Sequence, residues 1–294
     1  MVSIRRLDDL QEAVETLHRQ GYFDEEFYQE RLADFTFTPP VDIPGARSLI
    51  IIAFKDPQVR FSFRWNGEYI PAIVPPTYLH WREKDREAER ALAGLLEPEG
   101  YRVAPAVVPK KMLAVSSGLA TYGKNNITYV EGVGGFHRLA AFCSDLPCDE
   151  DEWVGAKMMR RCEQCQICLR SCPTGAIGSK RLLLRAERCL VFWNEKPGEV
   201  AFPVWMDASW HHCLVGCMNC QRACPENRRV LDWCEEVANF SEEETRLLLE
   251  RVPQVELPGP LMKKLERSDL LELLDILPRN LKALLDKGDT QPAG

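Results

Sequence analysis

The segment Cys162-Glu-Gln-Cys165-Gln-Ile-Cys168-Leu-Arg-Ser-Cys172-Pro173 sets four thiols at close, regular intervals and ends on proline. A shorter run, Cys217-Met-Asn-Cys220-Gln-Arg-Ala-Cys224-Pro225, repeats its latter part. The spacing C-x2-C-x2-C-x3-C-P is that of a [4Fe–4S] site. Three cysteines at three-residue intervals let one tight loop reach three corners of a cubane, and the fourth, before proline, turns to the other cluster. The expected crossing joins Cys162, Cys165, Cys168 and Cys224 on one cluster. Cys172, Cys217 and Cys220 then hold three corners of a second, with Cys189 or Cys213 as its remaining ligand. A zinc site has no use for two Cys-Pro endings, and paired C-x2-C spacings suit metals better than disulfides. Cys143, Cys148 and Cys234 lie outside the motifs and read as apolar packing residues.

Two such clusters imply single-electron transfer, and the remaining sequence far exceeds what a bare carrier needs. The chain has 294 residues, 45% of them hydrophobic, and a formal net charge of −7. That charge argues against nucleic acid as the main partner, because phosphate binding needs a basic face. The longest apolar run, Leu49-Ile-Ile-Ile-Ala-Phe54, has the length of a buried strand and not of a membrane span. Arg5-Arg6 is followed by an acidic amphipathic stretch instead of an apolar signal core. A cytoplasmic location is expected, where thiols stay reduced.

Residues 5–19 have the spacing of a helix, and 24–46, rich in proline and aromatics, of a surface wrap. Ser48–Phe54 reads as a buried strand. Val59–Trp65 and Tyr69–Val74 flank Asn66-Gly67, a two-residue hairpin signal. Residues 80–97 are expected to be helical, Tyr101–Val108 extended, and Met112–Ser117 helical up to Gly118. Ile127–Val130 and Arg138–Phe142 would be strands. The fold class is therefore α+β. An N-terminal α+β domain (1–150) precedes a two-cluster ferredoxin-like module (151–228) and a helical C-terminal extension (229–294).

Several phrases, in shared order, resemble the family of the epoxyqueuosine reductases and reductive dehalogenases. They are Ser117-Gly-Leu-Ala-Thr-Tyr-Gly-Lys-Asn125, Ser144-Asp-Leu-Pro147, Arg188-Cys189, Gly216-Cys217-x2-Cys220-Gln221, Cys224-Pro-Glu-Asn227 and Leu277-Pro-Arg-Asn-Leu281. The resemblance implies a base-off cobalamin held between the N-terminal domain and the cluster module. The clusters would feed it from a low-potential donor such as ferredoxin or flavodoxin. It implies corrinoid contacts from Tyr122, Gly123, Lys124, Asn125, Asn126, Gly134 and Gly135. It favours Cys189 over Cys213 as the last ligand, and makes the cluster of Cys162, Cys165, Cys168 and Cys224 the one proximal to the corrinoid.

The sequence departs from the family at one functional place. The aspartate taken as proton donor in epoxyqueuosine reductases falls on Ala104, which has no proton to give. Tyr78, His80, Tyr122 and Lys110 are the candidates for that role. The expected function is a cobalamin-dependent reductase of a small-molecule substrate. The alternatives are an electron-transfer protein or reductive activator serving a corrinoid protein, and tRNA epoxyqueuosine reduction with a replaced donor. His211-His212 is either a helix-end pair or a source of hydrogen bonds to cluster sulfur.

Overall fold

The computed structural model describes residues 1–179 and 183–289, so the end of the expected helical tail, residues 290–294, lies outside the described residues. Strand β1 (Val2–Ser3), helix α1 (Arg6–Arg19) and helix α2 (Glu25–Arg31) open the chain. Strands β2 (Ser48–Lys55), β3 (Gln58–Trp65) and β4 (Glu68–Val74) follow, then helix α3 (Trp81–Leu96), strand β5 (Val103–Pro105) and helix α4 (Lys110–Ser116). Short strands β6 (Thr121–Tyr122) and β7 (Thr128–Tyr129) lead into β8 (His137–Ser144). The cysteine-rich stretch holds short helices α5 (Ile167–Ser171), α6 (Leu190–Asn194) and α7 (Asn219–Arg222). Strand β9 (Cys234–Phe240) and helices α8 (Glu242–Leu249), α9 (Gly259–Arg267) and α10 (Leu277–Asp289) complete it. This is the mixed α+β fold expected, with helices towards the C-terminus. No helix among the described residues is long and apolar enough to cross a membrane.

One sheet has the order β1-β2-β8-β5. All eight residues of β8 are buried, since it sits between β2 and β5. Leu7 and Leu10 of α1 and Leu113 to Val115 of α4 pack in the same core as Leu49 and Ile51 of β2. The extended run after Tyr101 pairs only over Val103–Pro105, with Ala104 opposite Cys143. Proline has no N–H for a longer ladder.

The second sheet, β4-β3-β9, shows how the tail is used. Asn66 (φ +50°) and Gly67 (φ +83°) turn β3 into β4, as the Asn-Gly signal requires. The tail is not wholly helical: Cys234–Phe240 runs parallel to β3. Phe240 stacks on Phe63 with ring centroids 4.6 Å apart, which offers this segment more burial than a solvent-facing helix would. Leu248, Leu261, Leu265, Leu277 and Leu281 close the same core.

Helix α2 lies within the stretch expected to wrap the surface. The Asp24 side chain caps it by accepting from the Phe27 N–H. It is fastened to the cluster module. Phe27 meets Phe192 edge-on at 5.7 Å, Arg31 pairs with Glu195 at 3.2 Å, and the buried Lys196 ammonium binds Glu26 (2.7 Å) and Glu30.

Candidate functional site

The thiols form two groups of four. Cys165 and Cys224 are near enough to Cys162 and Cys168 to disfavour ionisation of those two thiols, which burial raises first. Their loop is shallow, with Arg161, Glu163, Gln164 and Gln166 exposed between the thiols. Cys172, Cys189, Cys217 and Cys220 form the second group and together line an inner cavity of about 420 Å³. Burial pushes the Cys168 and Cys189 thiols up to about 11, so iron must displace protons to bind them. Among the described residues no three His, Cys, Asp or Glu side chains converge on a single metal ion.

Cys213 does not line the cavity, although its charge bears on the Cys217 thiol. It is buried with Ile73, Phe136, Met218 and Val230, and burial pushes its thiol up to about 12. His212 braces the same loop: its Nε2 accepts from the Met218 N–H at 3.0 Å, leaving Nδ1–H to donate to the Trp210 carbonyl at 3.3 Å.

The resemblance set the first group beside a corrinoid, whereas the inner cavity is walled by the second. None of Cys162, Cys165, Cys168 and Cys224 lines the cavity; all four of the second group do. The reason lies in the Gly-Lys-Asn loop. The Lys124 ammonium turns away from the cavity and donates to the Cys165 carbonyl (2.9 Å) and the Glu163 carbonyl (3.4 Å). The Lys124 backbone N–H faces the Cys162 thiol. Lys124 therefore buttresses the first cysteine loop.

The other residues expected at a corrinoid divide similarly. Asn125, Asn126 and Gly135 line the inner cavity. Asn126 and Tyr122 line a neighbouring apolar groove of about 1040 Å³, which shares Phe23, Phe27, Lys111 and Asn126 with the cavity. Gly123 and Gly134 line neither. A Cβ on Gly123 would come within 2.5 Å of the Tyr129 ring, and one on Gly134 within 2.7 Å of Asn227 Oδ1. Gly134, at φ +59°, lets the Cys224-Pro-Glu-Asn227 phrase dock, and Asn227 Oδ1 accepts from the Gly135 N–H at 2.8 Å.

Of the candidate acids, Tyr78 lines the cavity and its hydroxyl donates to Glu195 Oε1. Burial, then the Glu195 charge, hold the phenol well above its ordinary range. His80 lies outside both spaces: at φ +54° it precedes α3, with its ring beside Glu83. Tyr122 is raised by burial on the groove wall. Lys110 is also on the groove, 3.5 Å from Asp85, and lowered by burial despite that partner.

Sequence reasoning missed three groups on the cavity wall. Lys111 is enclosed by protein yet open along its length to the cavity; burial lowers its ammonium, against the pull of Cys189, Cys220 and Glu195. Glu195 is raised by burial, opposed by Tyr78 and Arg31. His137 donates from Nδ1 to the Gly134 carbonyl (2.9 Å) and accepts from Thr128 at Nε2 (3.0 Å), and burial lowers it towards the neutral form. Asp24 followed by Glu25-Glu26 was a usable start signal for α2, the helix that carries Arg31. Nothing local marks Lys111 or Glu195.

Ala104 is buried on β5, and the segment from Pro105 to Val108 lines the groove without a carboxylate.

A family model for a 4Fe-4S double cluster binding domain matches residues 161–227. The epoxyqueuosine reductase of Staphylococcus aureus is 25% identical over 235 residues, 76% of this chain and 59% of that protein, so the chain spans under two thirds of that relative. The solved epoxyqueuosine reductase of Streptococcus thermophilus superposes with a TM-score of 0.67 at 17% identity, covering 99% of this chain and 77% of that one. Another epoxyqueuosine reductase, solved with an epoxyqueuosine-modified tRNA stem loop, gives 0.65 at 20% identity over 95% of this chain and 74% of its own. With its two groups of cysteines inside the matched module, the chain has the fold of the epoxyqueuosine reductases and is similar to them in sequence.

Proposed function

We propose that the chain is an iron–sulfur reductase acting on an epoxide-bearing nucleoside of tRNA, with a replaced proton donor. The observation that carries it is the inner cavity, walled at once by four thiols and by Tyr78, Lys111 and Glu195. Cys162, Cys165, Cys168 and Cys224 are assigned to one [4Fe–4S] cluster, and Cys172, Cys189, Cys217 and Cys220 to the other. Cavity and groove together suit a large, flat, mostly apolar group, and Tyr122, Asn126 and Lys111 would hold a cobalamin there. When bound, the clusters supply single electrons in turn and the corrinoid a low-valent cobalt.

The protein's own part is to place and protect. Phe23 and Phe27 wall the cavity and limit water, and the enclosed Lys111 ammonium favours negative charge developing nearby. The acidic balance of the chain pointed to a small molecule, but the similar reductase solved with an epoxyqueuosine-modified tRNA stem loop supports tRNA. The test loads the anaerobic protein with iron, sulfide and hydroxocobalamin and supplies a low-potential donor and tRNA bearing epoxyqueuosine. Loss of the epoxide from the digested nucleoside is the expected result. Absence of tRNA binding at low salt would rule the tRNA reading out. A second reading, a reductive activator without its own substrate, draws on Ala104; reduction of a corrinoid protein with no nucleoside turnover would support it.

A further inference from the structure

Glu195 and Tyr78 stand between two spaces. One is the inner cavity; the other is an outer, open pocket of about 370 Å³ reached by Arg138, Asp269 and Glu272. Thr77, Tyr78, Arg31 and Glu195 line both. One Glu195 oxygen accepts the Tyr78 hydroxyl, and the other lies 3.2 Å from Arg31.

The fold holds this pair firmly. Thr77 is kept at φ +81°, costly for a β-branched residue, with its N–H bonded to the buried Asp56 carboxylate at 2.7 Å. The Tyr78 ring lies on Gly216, at φ +73°, where a Cβ would come within 2.8 Å of the ring and 2.9 Å of the hydroxyl. Asn194, next to Glu195, clamps Gly216 through both amide atoms, at 2.6 and 3.0 Å. Asn280, from the Leu-Pro-Arg-Asn phrase, donates to the Asn194 carbonyl at 2.8 Å. Gly216 precedes Cys217, so the clamp sets the phenol beside the second group of thiols.

The remaining carboxylates on the two inner spaces are differently engaged. Asp24 caps α2, and Asp85 is gripped by Arg138. Glu89 lies on the groove wall and not on the cavity.

We propose that Glu195 and Tyr78 form a proton relay from the outer pocket into the inner cavity, replacing the donor missing at Ala104. Glu195 takes a proton arriving through the outer pocket. The hydrogen bond then reverses: the carboxyl donates to the phenol oxygen, and the phenol O–H turns inward. As the phenol gives up its proton, a new O–H bond forms from the carboxyl, and Glu195 returns to the carboxylate held by Arg31. Reducing an epoxide consumes two electrons and two protons. The electrons come from a low-potential protein donor through the clusters, and the relay cycles twice. The groups facing Glu195 are Tyr78, Arg31 and Lys111, with Cys189 behind and Arg138, Asp269 and Glu272 across the outer pocket. The final acceptor, the cluster-borne electrons and the substitution for Ala104 rest on the proposed function; the Glu195–Tyr78 pair between the two spaces does not.

The test therefore has one arm without substrate or corrinoid. Infrared difference spectra, reduced minus oxidised, are recorded on the iron-loaded protein and on Glu195→Gln and Tyr78→Phe variants that retain full iron. The expected result is a protonated-carboxyl band that appears on reduction, is absent in Glu195→Gln, and is altered in Tyr78→Phe. Identical spectra for the native protein and Glu195→Gln would overturn the relay, whether or not the reductase reading stands. In the second arm, both variants should lower kcat by about 10²- to 10⁴-fold with KM little changed. Undiminished kcat in Glu195→Gln would likewise overturn it. If the native protein shows no turnover but gives the band, the substrate reading fails and the relay survives.

Discussion

The two cysteine runs are near-repeats in sequence, yet the two groups of four thiols drawn from them and from Cys189 occupy opposite situations. The first lies in a shallow loop studded with exposed polar residues and braced from behind by Lys124. The second is deep and forms the wall of a cavity shared with Tyr78, Lys111 and Glu195. The same cysteine spacing therefore occurs both in a surface loop and on a cavity wall, and neighbouring elements decide which. Lys124 closes the first group's inner side. Helix α2, through Phe27 and Arg31, roofs the space over the second.

The largest effect that could break this contrast concerns the eighth ligand. Cys189→Ser should cost about half the iron, one cluster of two, whereas Cys213→Ser should keep it; the opposite result in an iron assay would redraw the cavity wall. Gly216→Ala should come next. The added Cβ meets the Tyr78 ring at 2.8 Å and a positive φ strains the backbone. A loss of about 1–3 kcal/mol in denaturant unfolding is expected, with the spectrum of the second cluster disturbed and that of the first unchanged.

Lys124→Met sharpens the contrast from the other side. It removes charged hydrogen bonds worth about 1.5–3 kcal/mol, and the first cluster should become the more easily lost to chelator, while the second holds. The smallest effect is expected with pH, away from the thiols. Burial alone would raise Asp85, but the bonds from Arg138 and the charge of Lys110 hold its carboxyl below the usual range. Its contribution to stability is therefore present above the ordinary aspartate pKa and lost as pH falls through the lowered one. Asp85→Asn should flatten that part of the acid limb of a stability–pH curve; an unchanged limb would contradict the assignment.

Much of this was legible in the chain itself. The cysteine spacing pointed to a double-cluster module, in agreement with the matching family model, because cluster loops are local and short. The Asn-Gly hairpin and the amphipathic α1 and α3 were readable for the same reason. What escaped was non-local. Strand β9 finds its partner in β3, far back in the chain, where Phe240 packs on Phe61 and Phe63. Lys124 read as a cavity residue because its loop phrase resembles one, but its ammonium found backbone carbonyls on the other side. Glu195 and Lys111 have no motif around them. They matter through what α2, Gly216 and Asn194 place beside them. The Leu-Pro-Arg-Asn phrase was recognised as a resemblance before its role, holding Asn194, had a physical reason.

The central claim is a two-cluster wire that ends at a corrinoid-sized space. Its most direct test is metal content and the visible spectrum after anaerobic loading with iron, sulfide and hydroxocobalamin, followed by desalting. The account predicts about eight irons per chain, from two four-iron clusters, with cobalt retained in a base-off spectrum. Eight irons with no cobalt would contradict the corrinoid assignment and leave an electron carrier; about four irons would contradict the wire itself.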